Sequence, residues 1–191
     1  MTARRVSITL ASFVALLSTT QITTAKPNDS TAVRRAEKAL TKIDQRAGVV
    51  AGEADELSHL GLNTQYSPDL HRIKLEVVRG EVNHMVREVN RLEAERESLA
   101  PWERQALDKT LPALNEAATE ARKAIEYFDA NRNLLWTGEY REDTNGIRKA
   151  SEEIARSLRV YLQFEKVSGE EQRLRQRLNE TSDECANKGL V

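Results

Sequence analysis

Apolar residues along most of this chain recur at alternating intervals of three and four residues. This spacing keeps side chains on one stripe of an α-helix, and it restricts the possible folds more than any other feature of the sequence. No stretch alternates apolar and polar residues for long enough to indicate a β-strand. Charged residues make up 31% of the sequence and aromatic residues 5%, with only four prolines, which is typical of long helices with solvated faces. The sequence therefore predicts an all-α fold.

Capping residues and prolines divide the pattern into four helices. Ser67-Pro68 offers a serine cap with proline at the first helical position. Ala100-Pro101 marks another restart, because the residue before proline avoids helical geometry. The predicted helices run from the cap candidates Asn28-Asp29-Ser30 to near Gly61-Leu62-Asn63, over residues 68–99, over residues 101–135, and from a Thr137 cap to residue 179 or beyond.

Two boundaries stay open on the sequence alone. Pro112 lies inside the third helix and removes a backbone hydrogen bond, so we expect a kink near residues 108–112. Alternatively, residues 101–111 form a separate short helix. Asn145-Gly146 looks like a turn, but four apolar residues recur every seven positions across it. These residues are Tyr140, Ile147, Ile154 and Tyr161. We therefore expect one long fourth helix with a weak turn at residues 143–146.

Short connections between consecutive helices favour antiparallel neighbours. The sequence thus predicts an elongated, antiparallel up-down-up-down four-helix bundle with coiled-coil spacing over residues 26–182, followed by a flexible C-terminal tail at 183–191. Cys185 in this tail is the only cysteine. It is either a bystander or a residue that pairs with another chain in an oxidising compartment.

Residues 1–25 have the order of a secretory signal peptide, with Arg4 and Arg5, a mainly apolar run, and small residues before a predicted cleavage after Ala25. The apolar run is shorter than the roughly 20 residues of a membrane-spanning helix. We expect an exported protein, periplasmic or secreted, without stable membrane insertion. Removing this segment leaves 27 basic and 30 acidic residues, and a net charge of −3 gives no electrostatic reason to bind nucleic acid.

Two Glu-x-x-His motifs, Glu56 to His59 and Glu81 to His84, have the spacing found in ferritin-like di-metal bundles. If the first two helices turn near residue 64, the motifs are offset by about 13 Å along the helix axis, because each residue advances about 1.5 Å. They are therefore not expected to form one metal centre.

A smaller metal candidate combines His59, His71 and Asp69 near the first turn, since two histidines and a carboxylate can hold zinc or copper. The alternative, which we favour, is a solvated His59 and a His71 packed at the end of the helical seam. We expect no metal and no cofactor.

The sequence lacks the other common motifs of catalytic, phosphate-binding and redox sites. It contains no Gly-x-Ser-x-Gly motif, glycine-rich phosphate loop or Cys-x-x-Cys pair, and it has three histidines in all. No catalytic residue is assigned, and we expect that the protein is not an enzyme.

Aromatic residues cluster near the predicted chain reversals. Tyr127, Trp136 and Tyr140 flank the turn between the third and fourth helices, and Tyr66 lies near the first turn, at the same end of an up-down bundle. Such a cluster is either a platform for a ligand or peptide, or a hydrophobic plug that closes the bundle.

The segments Pro101-Trp102-Glu103-Arg104-Gln105-Ala106-Leu107, Leu134-Leu135-Trp136-Thr137 and Glu139-Tyr140 give the chain a resemblance to small exported bacterial helical-bundle proteins without an assigned function. The resemblance implies no catalytic or ligand-binding residue. Leu40-Thr41-Lys42-Ile43-Asp44 lacks the glutamine of the Leu-Thr-x-x-Gln repeats found in one class of periplasmic chaperone. We expect a non-enzymatic module that binds a protein partner or itself, with a ligand- or metal-binding bundle or a periplasmic stress chaperone as alternatives.

Overall fold

The computed structural model of the protein describes residues 30–62 and 67–187. The predicted signal peptide, Tyr66 and the last four residues of the predicted tail lie outside the described residues. The described residues form four α-helices and one short 3₁₀ helix, without a strand. They are α1 (Ser30–Leu60), α2 (Pro68–Ala94), the 3₁₀ helix (Arg96–Ser98), α3 (Pro101–Ala130) and α4 (Gly138–Asn187). The prediction of an all-α fold is confirmed.

Both predicted proline starts are confirmed. At the start of α2, the Ser67 side chain accepts a hydrogen bond from the backbone N–H of Asp69 at 3.2 Å. At the start of α3, Ala100 has extended geometry, and its N–H donates to the carboxylate of Glu103 at 2.7 Å. The helix continues through Pro112 to Ala130, so residues 101–111 are not a separate helix.

Two helices end earlier than the apolar spacing predicts. Helix α2 ends at Ala94. Just after this end, the Arg96 guanidinium forms ion pairs with Glu93 at 2.8 Å and with Asp108 of α3 at 2.6 Å. Helix α3 ends at Ala130, where the side-chain amide of Asn131 donates to a carbonyl of the last turn. Leu99 and Leu135 still pack into the core, although each lies in a connection.

Helix α4 is continuous from Gly138 to Asn187, as the recurrence of apolar residues every seven positions predicts. The weak turn expected at residues 143–146 is not found, because these residues are helical. Its 50 residues span about 75 Å, compared with about 45 Å for the 30 residues of α3. Close packing explains why glycine occupies position 146, because a Cβ atom added there would lie 2.8 Å from Cγ of Glu120 on α3. The first residues of the predicted flexible tail belong to this helix.

The four helices enclose one hydrophobic core in which α1 and α3 each pack against both α2 and α4. Alanines supply about two-fifths of the buried apolar positions, and larger side chains such as Ile43, Met85, Leu107 and Ile154 fill the space between them. Small residues allow close approach of the helices while each contact buries modest area. None of the helices in the described part of the chain is both long enough and apolar enough to cross a membrane.

Candidate functional site: the aromatic end and the surface of α4

The aromatic residues between α3 and α4 form mostly a packed plug. Tyr140 is fully buried, and its hydroxyl lies 3.1 Å from Nδ1 of His71 on α2. The ring of Tyr127 lies 6.0 Å from that of Tyr140, and its hydroxyl lies 2.6 Å from Oγ1 of Thr137. These contacts join α2, α3 and α4 at the same place. The two tyrosine hydroxyls are within hydrogen-bonding distance of polar groups of the bundle itself, namely the His71 ring and the Thr137 hydroxyl.

Trp136 differs from the two tyrosines because it is about half exposed. It lies in the connection between α3 and α4, beside the equally exposed Leu134. Of the three candidate residues that the structure describes at this end, Tyr127 and Tyr140 therefore pack inward, and Trp136 reaches solvent.

The candidate metal ligands are not brought together as a metal-binding group. His71 is buried, and burial lowers its pKa from 6.5. His59 is exposed, and its Nδ1 lies 2.8 Å from the backbone carbonyl of Asp55. Asp69 lies near Arg72 at 3.6 Å. Within residues 30–62 and 67–187, no group of three or more histidine, cysteine, aspartate or glutamate residues could hold a metal ion.

Sequence reasoning missed two buried carboxyl groups. Glu103 at the start of α3 is almost completely buried, and burial is the main cause that raises its pKa, assisted by Glu165 and Glu37. Asp143 on α4 is buried beside Glu120 of α3, and its pKa is raised to about 6, first by burial and then by the charge of Glu120. Helical spacing could have located these acids near the helix contacts, but not their partners across the bundle.

Two open grooves run between neighbouring helices. One, of about 450 Å³, lies between α1 and α4, where Gly48 and Ala51 face Ala155 and Val160. The other, of about 440 Å³, lies between α2 and α3, with an apolar floor that includes Val82 and Ile125. Arginines line both grooves, and neither contains a cluster of groups arranged for acid–base or nucleophilic chemistry.

Five of the eleven large apolar side chains that are exposed in the described chain lie on α4 from Val160 onward. We call this row the α4 stripe, and it consists of Val160, Phe164, Val167, Leu174 and Leu178. Each of these side chains is between 53% and 67% exposed. Their spacing of four, three, seven and four residues keeps them on one helical face. All residues from 170 to 180 are exposed, so α4 carries this face away from the packed core.

The α4 stripe points away from the buried face of α4, although its first residue, Val160, also lines the groove beside α1. Successive residues of an α-helix are rotated by about 100°, so the centre of the stripe lies about 140° around α4 from the buried Ile154 and Leu158. A partner helix placed on the stripe would therefore leave the packed core undisturbed. The heptad spacing of this face is visible in the sequence, but its exposure is not.

Comparisons of the chain with protein-family models, with curated proteins and with solved structures gave no match.

Proposed function

We propose that the protein is an exported, non-enzymatic helical-bundle module, and that its α4 stripe is the surface that binds another protein chain. The observation that carries this proposal is the exposure of five large apolar side chains in one row on a helix that extends from the core. Rows of exposed large apolar side chains mark interaction sites in folded proteins. The bundle serves as the rigid support that holds the helix.

The proposed architecture is an elongated, antiparallel up-down-up-down bundle. Ion pairs between α1 and α4 support opposite directions, since Asp55 meets Arg148 at 3.7 Å and Asp44 meets Arg159 at 3.0 Å. Between α1 and α2, the ion pairs of Glu53 with Lys74 and of Arg46 with Glu81 support the same reversal. In this arrangement the C-terminal part of α4 extends beyond the start of α3.

Export rests on the sequence of residues 1–25, with its basic start, apolar run and small residues before Ala25. The resemblance to small exported bacterial helical bundles agrees with it. Removal of this segment would leave the bundle, the α4 stripe and Cys185 in the working protein. N-terminal sequencing of the protein from the cell envelope or medium should give Lys26 as the first residue, and a start at Met1 would contradict export with cleavage.

The binding role is tested by photo-crosslinking in the cells that produce the protein. A photoreactive benzoylphenylalanine replaces Phe164 in the α4 stripe, and the control places it at Ile73, which is 51% exposed on α2. We expect a discrete crosslinked species from position 164 that position 73 does not give. If both folded variants give the same pattern, or none, the α4 stripe is not a binding surface.

The groove between α2 and α3 supports a second candidate, a stress chaperone that holds unfolded clients. Val82, Ala121 and Ile125 give it an apolar floor, and Arg79 and Arg122 border it. We expect the protein to suppress aggregation of a denatured client protein in a light-scattering assay, and Ile125→Glu to remove that activity. Equal suppression by both proteins, or none by the wild type, would exclude this groove as a client site.

A further inference from the structure

We propose that the chain that covers the α4 stripe is a second copy of this protein, joined in a parallel, in-register two-stranded coiled coil. The proposal rests on the interaction role proposed above and names its partner. It follows from three properties of α4, namely the heptad positions of its exposed residues, the charges beside them and the position of Cys185.

The exposed residues fill the core positions of a heptad repeat. If Phe164 is position a, Leu178 is also at a, and Val160, Val167 and Leu174 are at d. A row with this seven-residue period fits a second helix that has the same period, because the a and d side chains then interlock along the whole seam. The row begins at Val160, since the preceding d position is occupied by the charged Glu153.

A parallel dimer is compatible with the bundles that the helices carry. The stripe faces away from Ile154 and Leu158, so each bundle would lie on the outer side of its own α4. The segment from Val160 to Asn187 has 28 residues and a length of about 42 Å, which gives four helical heptads for contact.

Charges beside the stripe favour the parallel direction. Glu170 occupies position g and Arg175 occupies the following position e, and these are the positions that meet between the helices of a parallel pair. Arg175 would then lie between Glu171 of its own helix, which it contacts at 2.6 Å, and Glu170 of the partner subunit. An antiparallel pair that matches the same apolar residues would instead place the two Glu170 carboxylates opposite each other.

Glu171 is the one charged residue at a core position between Phe164 and Leu178. A single polar residue at position a is known to fix the register of a coiled coil at a cost in stability. We therefore expect a dimer of moderate affinity, one that the replacement of Glu171 by an apolar residue strengthens.

Cys185 occupies the next position a after Leu178, within the helical backbone of α4. In the parallel register, equal backbone positions of the two chains are neighbours, so the two Cys185 positions would lie within the distance that a disulfide between the chains can span. In the antiparallel register they would be about 48 Å apart, since about 32 residues of helix would separate them. Disulfide formation thus reports the direction of the two helices.

The experiment measures the association of the purified protein by analytical ultracentrifugation. We expect a reversible dimer, at least a tenfold weaker dimer for Val167→Glu, and at least a tenfold tighter dimer for Glu171→Ile. The matched control is Val77→Glu, an exposed valine on α2, which should dimerise like the wild type. Circular dichroism checks that all four proteins are equally helical.

Oxidation of the purified protein with diamide then tests the register. Each Cys185 thiol gives up one proton and one electron, the two sulfur atoms form one bond, and diamide accepts both protons and both electrons to become the hydrazine. We expect a covalent dimer that Cys185→Ser abolishes and Val167→Glu reduces. A dimer without this disulfide would overturn the parallel register.

The result of the photo-crosslinking experiment separates this inference from the proposed function. Capture of a second copy of the same chain through position 164 supports both. A monomer whose position 164 captures only a different protein overturns the self-association and leaves the binding role of the α4 stripe. A monomer without any specific crosslink overturns both.

Discussion

The carboxyl group of Asp143 offers the sharpest test of how the bundle is packed. It is buried between α4 and α3, where it hydrogen bonds to the Glu120 carboxyl group. Burial and the charge of Glu120 raise the pKa of Asp143 to about 6, Glu139 on its own helix adds to the rise, and Lys123 of α3 opposes it. Ionised Asp143 is therefore unfavourable in the folded protein.

The size and sign of the effect follow from this pKa. A rise from 3.8 to about 6 corresponds to about 3 kcal/mol, because each pH unit is worth about 1.36 kcal/mol. Screening by nearby solvent reduces this to about 1.5 kcal/mol. Between pH 3.8 and 6 the folded chain binds the proton more strongly than the unfolded chain, so this group lowers the free energy of unfolding as pH rises through that range. Above pH 6 the full destabilisation is present.

Asp143→Asn keeps the shape of the side chain and removes its charge. We expect the variant to be about 1.5 kcal/mol more stable than the wild type at pH 8, which for a protein of this size raises Tm by about 3–6 °C. At pH 4 the difference should be close to zero. The measurement is urea and thermal unfolding followed by circular dichroism from pH 4 to pH 8, with the variant compared with the wild type at each pH. Buried His71 and Glu103 are common to both proteins, so their pH dependence cancels.

Asp129→Asn is the matched control, because Asp129 is an exposed aspartate near Arg132 on the same bundle. Its effect should stay within about 0.5 kcal/mol at every pH. This prediction is contradicted if Asp143→Asn is less stable than the wild type at pH 8, or if its gain in unfolding free energy is the same at pH 4 and pH 8. Either result would mean that the aspartate charge is accommodated in the folded protein.

Two further predictions concern the helix contacts. Gly146→Ala should raise the free energy of unfolding by less than the roughly 1 kcal/mol that alanine adds in a helix, because its Cβ atom would lie 2.8 Å from Cγ of Glu120. A Cβ atom added at Gly80 has no neighbour within 4 Å, so Gly80→Ala should raise the free energy of unfolding by about 0.5–1 kcal/mol. Equal gains for the two variants in urea unfolding would exclude close packing at Gly146. Tyr140→Phe should cost about 1–2 kcal/mol at pH 8, because it leaves the buried Nδ1 of His71 without the hydroxyl at 3.1 Å; a neutral result would show that this hydrogen bond adds nothing.

Local signals were sufficient to locate most helix boundaries. Ser67-Pro68 and Ala100-Pro101 act through backbone geometry and capping within a few residues, and both starts were predicted correctly. The ends of α2 and α3 were placed too late, because Leu99 and Leu135 continue the apolar pattern while lying in connections. Apolar spacing reports which side chains are buried, and a buried residue need not be helical.

The candidate site was less accessible from the sequence than the fold. Burial of His71 at the end of the seam was anticipated, but its partner Tyr140 is 69 positions away in the chain and was not. The pairing of Asp143 with Glu120 was missed for the same reason. The α4 stripe was visible as a heptad row, but its exposure depends on which face of α4 the other helices cover.

The sequence by itself determined the four helices, their alanine-rich apolar faces and the continuity of α4 through Asn145-Gly146, because these depend on helix propensity, capping and the 3.6-residue period. Only the tertiary structure decided which apolar residues are buried. Ile154 and Val167 both lie on α4 and both belong to regular apolar rows, yet Ile154 is fully buried and Val167 is 58% exposed. The physical reason is that burial requires neighbouring atoms from another helix, and Val167 lies on the face of α4 opposite to the buried Ile154.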